Sequence, residues 1–420
     1  MKKTLNTILL IIILSILWGQ SRIKTYTKDD GLISQNISQV YKDSRGNIWC
    51  CASDVKKGIM KFDGEKWTNY FNKKDMKTII LITAFFEDSK GNVWVGSRSA
   101  EYIMANGIWK MNDSGYEKLS KIGTNYIAED TNGNVWFGGK NIGFYNGTDV
   151  VEFSKKEIDA NKITALYCAN DGKVWIGTKN GAMYYYNDRW NVVGDRPNSP
   201  QNQVNSIISD NDNNLWFGAE NGVYKYDGNN WQHYTIEDGL VADGTLLLKI
   251  DNKNHIYAIA GKAEKEETGF GIIDISNAIG TSLANAGLSI YKDNIWQNFA
   301  DSKDAPNDIN PIFFEDHQGN LWFNSNNNSI YKFDGNDWTV YNEASGCRIE
   351  RFGLMTEDSK GNYWFASNGS TKGIAKYDGD NWFYFDKDTG LPSIIITSIV
   401  EGNDGSIWIG TFKGAVQIVP

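Results

Sequence analysis

Residues 87–97 read EDSKGNVWVGS, residues 357–367 read EDSKGNYWFAS, and residues 401–411 read EGNDGSIWIGT. Each stretch holds a polar turn with glycine, followed at once by an apolar run that contains tryptophan. Glycine at a fixed place in such a turn indicates a residue with positive φ, and a preceding Asp can cap the turn through its side chain. The pattern therefore predicts a tight hairpin turn that leads into a buried strand.

The same pattern recurs along the chain. Its anchoring aromatic residues are Trp49, Trp94, Trp136, Trp175, Trp216, Tyr257, Trp322, Trp364 and Trp408. Asp lies six positions before the anchor in seven copies: Asp43, Asp88, Asp130, Asp210, Asp251, Asp316 and Asp358. Gly lies three positions before it, except where Asn213 and Asn254 take that place. Self-similarity at a period of about 40 residues indicates a repeat architecture.

Each copy predicts four short strands, named A to D. Strand A alternates apolar residues, strand B holds the anchor, and strand C ends in a second turn such as 226–231, YDGNNW. A second Trp opens strand D, so most of the 16 Trp pack between successive sheets. Four-stranded repeats of this length are typical of β-propellers. We predict an all-β protein, a single β-propeller of nine blades, with eight as the alternative because the copy around Tyr257 is degenerate.

The two ends of the chain predict how the propeller closes. Residues 24–32, KTYTKDDGL, resemble the end of a strand D at 233–240, HYTIEDGL, and the last copy stops after strand C. The N-terminal strand can therefore supply the missing strand of the last blade, which leaves no open sheet edge.

The N-terminus predicts export. Lys2 and Lys3 precede an apolar run at 8–18, ILLIIILSILW, which is too short to span a bilayer but fits a signal peptide. We predict a signal peptide at 1–21, a propeller at 22–420, and a periplasmic or secreted protein without a membrane span. An uncleaved anchor is the alternative.

The composition argues against nucleic acid as a partner and gives no sign of a metal or cofactor site. The 420 residues include 42 Lys plus Arg against 51 Asp plus Glu, with a net charge of −9 and no basic block, which argues against nucleic-acid binding. The four cysteines, Cys50, Cys51, Cys168 and Cys347, show no metal-binding spacing and are expected to be small buried hydrophobes. The turns lack the late Glu of a calcium loop. We predict no metal and no cofactor.

The repeat resembles a known family. DSKGNVWVGS at 88–97 with GIWKM at 107–111, and DGSIWIGTFKGAV at 404–416, are similar to the two-component regulator propeller repeat over essentially everything after residue 21. The resemblance implies a propeller like those in the ectodomains of bacterial hybrid sensor kinases and in exported stand-alone propellers. Because the sequence ends at Pro420 inside the last blade, we expect no kinase output.

Candidate binding residues lie in the variable loops. Alternating strand directions place the D–A and B–C loops on one face, and variable loops on a rigid scaffold commonly carry binding sites. The largest is an insertion at 261–286. The candidates are Arg98, Glu101, Tyr102, Arg196, Arg348 and Arg351. Guanidinium groups suit anionic or sugar-like ligands, and the alternative for each residue is a solvated surface position.

The sequence favours binding over catalysis. We predict an exported ligand-binding or interaction propeller, a monomer, that senses or scaffolds in the bacterial envelope. Its partner would be a small molecule, a glycan or an envelope protein. A propeller-type lyase or glycan-active enzyme is the alternative. A looser resemblance to streptogramin lyases implies His and Glu with a metal, yet His255 and His317 fall at A–B turns and leave His233 without a second His. No catalytic residue is assigned.

Overall fold

The computed structural model describes residues 22–52, 58–70, 82–97, 107–154, 158, 163–260, 287–299, 309–325, 329–349, 352–367 and 373–419. These residues form nine four-stranded antiparallel sheets, and the fold is an all-β β-propeller of nine blades. The copy around Tyr257 forms a complete sheet, so the alternative of eight blades is wrong.

The strands are numbered along the chain. Blades one to four contain, in order A to D, β2 (Ile37–Lys42), β3 (Ile48–Ala52), β4 (Ile59–Phe62), β5 (Trp67–Asn69); β6 (Ile82–Glu87), β7 (Val93–Ser97), β8 (Gly107–Asn112), β9 (Gly115–Ser120); β10 (Thr124–Glu129), β11 (Val135–Gly139), β12 (Ile142–Tyr145), β13 (Val150–Glu152); β14 (Ile163–Cys168), β15 (Val174–Thr178), β16 (Gly181–Tyr186), β17 (Arg189–Val192). Blades five to eight contain β18 (Val204–Ser209), β19 (Leu215–Ala219), β20 (Gly222–Tyr226), β21 (Trp231–Tyr234); β22 (Thr245–Ile250), β23 (Ile256–Ala260), β24 (Leu288–Lys292), β25 (Ile295–Asn298); β26 (Ile309–Glu315), β27 (Leu321–Ser325), β28 (Ile330–Phe333), β29 (Trp338–Tyr341); β30 (Phe352–Glu357), β31 (Tyr363–Ser367), β32 (Ile374–Tyr377), β33 (Trp382–Phe385). Blade nine contains β34 (Ile396–Glu401), β35 (Ile407–Thr411), β36 (Gly414–Val419) and β1 (Arg22–Tyr26). Short 3-10 helices span Lys28–Asp30, Ile236–Asp238 and Glu343–Ser345.

The N-terminal strand completes the last blade, as predicted. β1 pairs antiparallel with β36, with Arg22 opposite Val419 and Tyr26 opposite Ala415. The Tyr26 ring stacks on Trp408 at a centroid distance of 5.2 Å. After the strand, Thr27 caps a 3-10 turn as Thr235 does at the end of β21, which explains the sequence similarity of the two segments.

Contacts divide the chain into two compact units. One runs up to Asn69 and resumes at Leu354, so it holds blades one and nine and nearly all of blade eight. The other, Tyr70–Gly353, holds blades two to seven. No helix in these described residues is long and apolar enough to cross a membrane. The predicted signal peptide and the insertion at 261–286 lie outside the described residues.

Within each unit, a bulged polar residue near the start of strand A joins neighbouring blades. The register of the A–B pair shifts at Thr397 in blade nine and at Asn205 in blade five. Thr397 Oγ1 donates to the carbonyl of Ile37 at 2.8 Å, and Asn205 Nδ2 donates to the carbonyl of Thr245 at 2.9 Å. The bulge turns a side chain out of the sheet, where it binds the backbone of the next blade.

The anchors fill the space between blades, as predicted. All nine are at most 2% exposed. Trp216 of blade five packs on Tyr291 and Trp296 of blade six, with ring centroids 4.8 and 6.1 Å apart. The aromatic excess in the composition is therefore core packing, and each large ring removes apolar surface from water.

Candidate functional site

The A–B turns carry a recurring carboxylate. In blade eight, Asp358 Oδ1 accepts from the backbone N–H groups of Lys360 and Asn362 at 3.0 and 2.8 Å. Its Oδ2 accepts from Nε1 of the anchor Trp364 at 2.8 Å. Burial alone would raise the pKa of Asp358, but the hydrogen bonds from Trp364 and Asn362 outweigh it and lower the pKa. The predicted turn cap is confirmed, and the same carboxylate also holds the anchor.

The bond to the anchor recurs in the other copies that have the Asp. The donor and acceptor pairs are Trp49 with Asp43, Trp94 with Asp88, Trp136 with Asp130, Trp216 with Asp210, Tyr257 with Asp251, and Trp322 with Asp316. The sequence analysis missed this bond. Its signal was the constant spacing of six residues between the Asp and an aromatic residue able to donate.

A second carboxylate links the turns of neighbouring blades. The N–H and hydroxyl of Ser89 in blade two both donate to Glu129 of blade three at 2.7 Å. Ser359 of blade eight makes the same pair of bonds to Glu401 of blade nine. The Glu lies at the end of strand A, seven positions before the anchor of its blade. We call this contact the turn bridge.

Blade four lacks both carboxylates. Cys168 and Ala169 take the places of the Glu and the Asp. Ala169 keeps the backbone bonds of the turn, from its N–H to the Lys173 carbonyl at 2.9 Å and from the Gly172 N–H to its own carbonyl at 3.0 Å. The indole N–H of Trp175, however, is buried without an acceptor among the described residues. Burial, with help from Asp130 and Glu129, raises the pKa of Cys168 to about 12, so this thiol stays neutral.

A cleft of about 710 Å³ opens at the junction between blades three and four. It lies on the side of the A–B and C–D turns, which we call the turn side. Its lining includes Thr131, Asn132, Asp171, Tyr186, Asn187 and Asp188. Thr131 occupies the position of Ser89 in its own turn, but within the described part of the chain it makes no hydrogen bond to a carboxylate, and Cys168 stands where the Glu would be. We call this space the turn-side cleft.

The C–D turn of blade four shapes the other wall of the cleft. Asn187 and Asp188 have φ of 50° and 59°, so both residues adopt the left-handed conformation of a two-residue hairpin turn. In blade five, by contrast, the Asp227 carboxylate accepts hydrogen bonds from the N–H groups of Asn229 and Asn230 in the same turn. The shorter turn of blade four leaves the Asn187 side chain available.

On the opposite side, which we call the loop side, the B–C and D–A loops lie together as predicted. The Glu220 N–H in the B–C loop of blade five donates to the Gln203 carbonyl in the preceding D–A loop at 3.0 Å. The B–C loop of blade four also packs tightly against this D–A loop. A Cβ on Gly181, at the start of β16, would lie only 2.2 Å from the Pro200 carbonyl oxygen.

Two of the six predicted binding residues lie among the described residues, and both are in loops of the loop side. Arg196 is exposed in the loop after blade four, where its backbone accepts from the Ser199 hydroxyl at 2.8 Å. Arg348 is exposed after blade seven, so these two residues belong to blades that are not neighbours. The other four candidates, Arg98, Glu101, Tyr102 and Arg351, lie outside the described residues. Neither Arg196 nor Arg348 lines the turn-side cleft.

Apolar side chains are also exposed on the loop side. Ile236 and Val241, in the loop between blades five and six, are 56% and 37% exposed. In the other unit, Ile395 and Phe412 are exposed in a D–A and a B–C loop. Sequence analysis did not single out these residues, since lone apolar residues in loops have no periodicity.

Among the described residues, His233 and His255 contact neighbouring side chains, and most of the cysteines are buried. The His233 ring stacks on Tyr224 at 4.1 Å, and His255 Nδ1 lies 2.8 Å from Asp251 Oδ2. Cys50, Cys51 and Cys347 are buried, as predicted, whereas Cys168 is only half-buried. Among the described residues, no group of three or more His, Cys, Asp or Glu could hold a metal ion.

Four of the repeats match a known family model. The model of the two component regulator propeller family matches residues 80–99, 157–180, 198–221 and 390–413. Each matched segment holds an A–B turn and its anchor. No curated protein matches the chain significantly.

Several solved structures are similar in fold. The extracellular domain attributed to the hybrid two component system BT3049 of B. thetaiotaomicron is 13% identical, covering 95% of this chain and 83% of that chain, with a TM-score of 0.35. PorZ, a surface component of the type-IX secretion system of Porphyromonas gingivalis, is 14% identical, covering 91% and 68%, with a TM-score of 0.41. Virginiamycin B lyase from Staphylococcus aureus is 14% identical, covering 70% and 94%, with a TM-score of 0.38. At these identities and TM-scores, none of the likenesses bears on function.

Proposed function

Because this chain carries repeats of the two-component regulator propeller family, we propose that it is an exported binding propeller of the bacterial envelope. Its loop side contacts a partner, an envelope protein or a ligand presented there. The observation that carries the proposal is the exposure of Ile236 and Val241 on a loop held in a fixed shape.

The loop between blades five and six is preorganised for contact. Thr235 caps the 3-10 helix through the N–H of Glu237, and the Ile236 N–H donates to Asp243 at 2.9 Å. Exposed apolar side chains rimmed by polar residues are typical of protein contact sites. A loop whose shape is already fixed loses little conformational entropy on binding.

The proposal includes the arginines of the loop side. Arg98, Arg196 and Arg351 would bind an anionic or sugar-like group of the partner, and Glu101, Tyr102 and Arg348 would add further polar contacts. Polar contacts of this kind are typical of the rim of an interface.

Export can be measured first. The mature protein from the periplasm or medium should show an N-terminus near residues 20–22 by mass spectrometry, because the h-region at 8–18 would be removed with the signal peptide. A product that keeps Met1 and stays in the cytosol would contradict export.

The loop side is tested by substitution on both sides of the propeller. Envelope proteins captured by the full chain are compared with those captured by an Ile236→Ser/Val241→Ser variant and by an Arg98→Ala/Arg196→Ala/Arg351→Ala variant. Both variants should lose the partner, because they remove the apolar and the charged contacts respectively. Matched controls, Lys90→Ala and Lys360→Ala in the A–B turns, should keep it. Loss of the partner in the controls, and retention in the loop variants, would refute the proposal.

A further inference from the structure

We propose that the turn-side cleft is a binding site for a neutral saccharide of one or two rings. This site is separate from the loop side and does not depend on the function proposed there. Its volume of about 710 Å³ lies within the range of small-molecule sites.

Polar side chains in the cleft are free to bind a ligand. Thr131, Asn132 and Asn187 make no side-chain hydrogen bond to any described residue, and all three are exposed. Other amides nearby are already used, since Asn134 donates to Asp130 at 2.9 Å and Asn170 donates to Asn213 at 3.0 Å. A side-chain amide offers donors and an acceptor together, which matches the paired donor and acceptor groups of neighbouring sugar hydroxyls.

An aromatic ring lies beside these groups. Tyr186 is 41% exposed and lines the cleft. The Lys173 ammonium lies 5.7 Å from the ring centroid and is paired with Asp171, so its charge is already balanced. The open part of the ring gives the apolar C–H face of a sugar a surface on which to pack, and such a combination of aromatic and placed polar groups is typical of ligand sites.

The charges of the cleft select against anions. Its lining includes Asp130 and Asp188 and, among the described residues, no Lys or Arg; Asp171, also in the lining, is paired with Lys173. Asp130 is held by Asn134 and Trp136, and Asp188 accepts from the Tyr185 hydroxyl at 3.3 Å. A phosphate or carboxylate would approach these carboxylates while the neighbouring cation, Lys173, is already paired with Asp171, which costs free energy. A neutral, hydroxyl-rich ligand avoids that cost.

The turn bridge is absent beside the cleft. Cys168 stands in place of Glu, so the side chain at this position of blade four cannot bridge to Thr131 as Glu129 bridges to Ser89. Cys168→Glu should restore the bridge seen between Ser89 and Glu129 and so place a charged side chain in the cleft.

Saturation-transfer NMR on the full chain tests the site. The probes are methyl glucoside, methyl galactoside, methyl mannoside, N-acetylglucosamine, maltose and cellobiose at millimolar concentration, with glucosamine and glucose 6-phosphate as charged arms. At least one neutral sugar should bind, and glucose 6-phosphate should not. Tyr186→Ala and Asn187→Gly should each weaken that binding by about tenfold or more, which is roughly 1.4 kcal/mol.

Matched variants separate the cleft from a folding defect. Asn187→Gly keeps the turn, because glycine accepts positive φ, and Asp293→Gly makes the same change at φ 52° in the equivalent turn of blade six. The Asp293 variant should bind like the wild type, and Cys168→Glu should lose binding while its melting temperature stays the same or rises. The proposal is overturned if no neutral sugar binds, if only glucosamine or glucose 6-phosphate binds, if Asn187→Gly and Tyr186→Ala bind like the wild type, or if Arg196→Ala abolishes binding.

Discussion

The junction between blades two and three and the junction between blades three and four have the same backbone turns and different side chains. At the first, Asp88 holds Trp94, and Ser89 is bridged to Glu129. At the second, Asp130 holds Trp136 in the same way, but Cys168 stands at the position of Glu129 and Thr131 makes no such bridge to any described residue. This second junction contains the turn-side cleft. The hairpin turn therefore needs only its backbone and glycine, whereas the two carboxylates join the turn to its anchor and to the next blade.

The largest effect is expected from removal of an anchor. Trp216→Ala should cost on the order of 3–5 kcal/mol through an unfilled cavity, and it also strips Asp210 of its indole donor. Trp175→Ala leaves the same kind of cavity but breaks no hydrogen bond, so it should cost about 1 kcal/mol less. Thermal melting of both variants measures the difference. A Trp216 variant that melts like the wild type would mean that the anchor is not part of the core.

A smaller effect is expected when a normal turn is made to resemble that of blade four. Asp358→Ala leaves the indole of Trp364 buried without an acceptor and should cost about 2–3 kcal/mol. The folded state lowers the pKa of Asp358, so this stabilisation is present above the ordinary pKa of 3.8 and is lost as pH falls through the lowered value. Denaturant unfolding at pH 7 and at pH 2–3 checks the sign. A gap between variant and wild type that stays constant down to the lowest pH would contradict it.

The reverse substitution should have the smallest effect. Ala169→Asp gives the buried Trp175 indole an acceptor in a turn whose backbone already matches the others. We expect a gain of about 1 kcal/mol and a rise in melting temperature of about 1–3 °C. Ala169→Asn is the control for charge. A fall in melting temperature for Ala169→Asp would show that the neighbouring Asp130 and Glu129 outweigh the new bond.

The repeated parts of this fold could be predicted from the sequence because they are local and periodic. Asn213 and Asn254 replace glycine at positive φ, with φ of 62° and 69°, as the turn pattern required. The strand that closes blade nine was predicted from a match between two short segments, and it pairs with β36. In both cases, several copies of one pattern show which residues the structure needs.

The candidate site could not be predicted in the same way. The turn-side cleft lies between the turns of two blades, and departures from the pattern such as Cys168 show a lost contact but not the space between turns. Arg196 and Arg348 remain predictions, since the sequence of a loop present once in the chain carries no repeat from which its partners could be inferred. Whether a side chain such as Tyr186 is exposed depends on the neighbouring side chains that cover it, and these come from distant parts of the sequence.

Amide hydrogen exchange of the native protein tests directly whether the carboxylates hold the turns. The Gly133 N–H donates to the Asp130 carbonyl and the Gly172 N–H to the Ala169 carbonyl, both at 3.0 Å. The two amides thus make equal backbone bonds and differ in the carboxylate behind them. The account predicts that the Gly172 amide exchanges about five- to tenfold faster than the Gly133 amide, after correction for sequence. Equal exchange at the two amides, or slower exchange at Gly172, would contradict it.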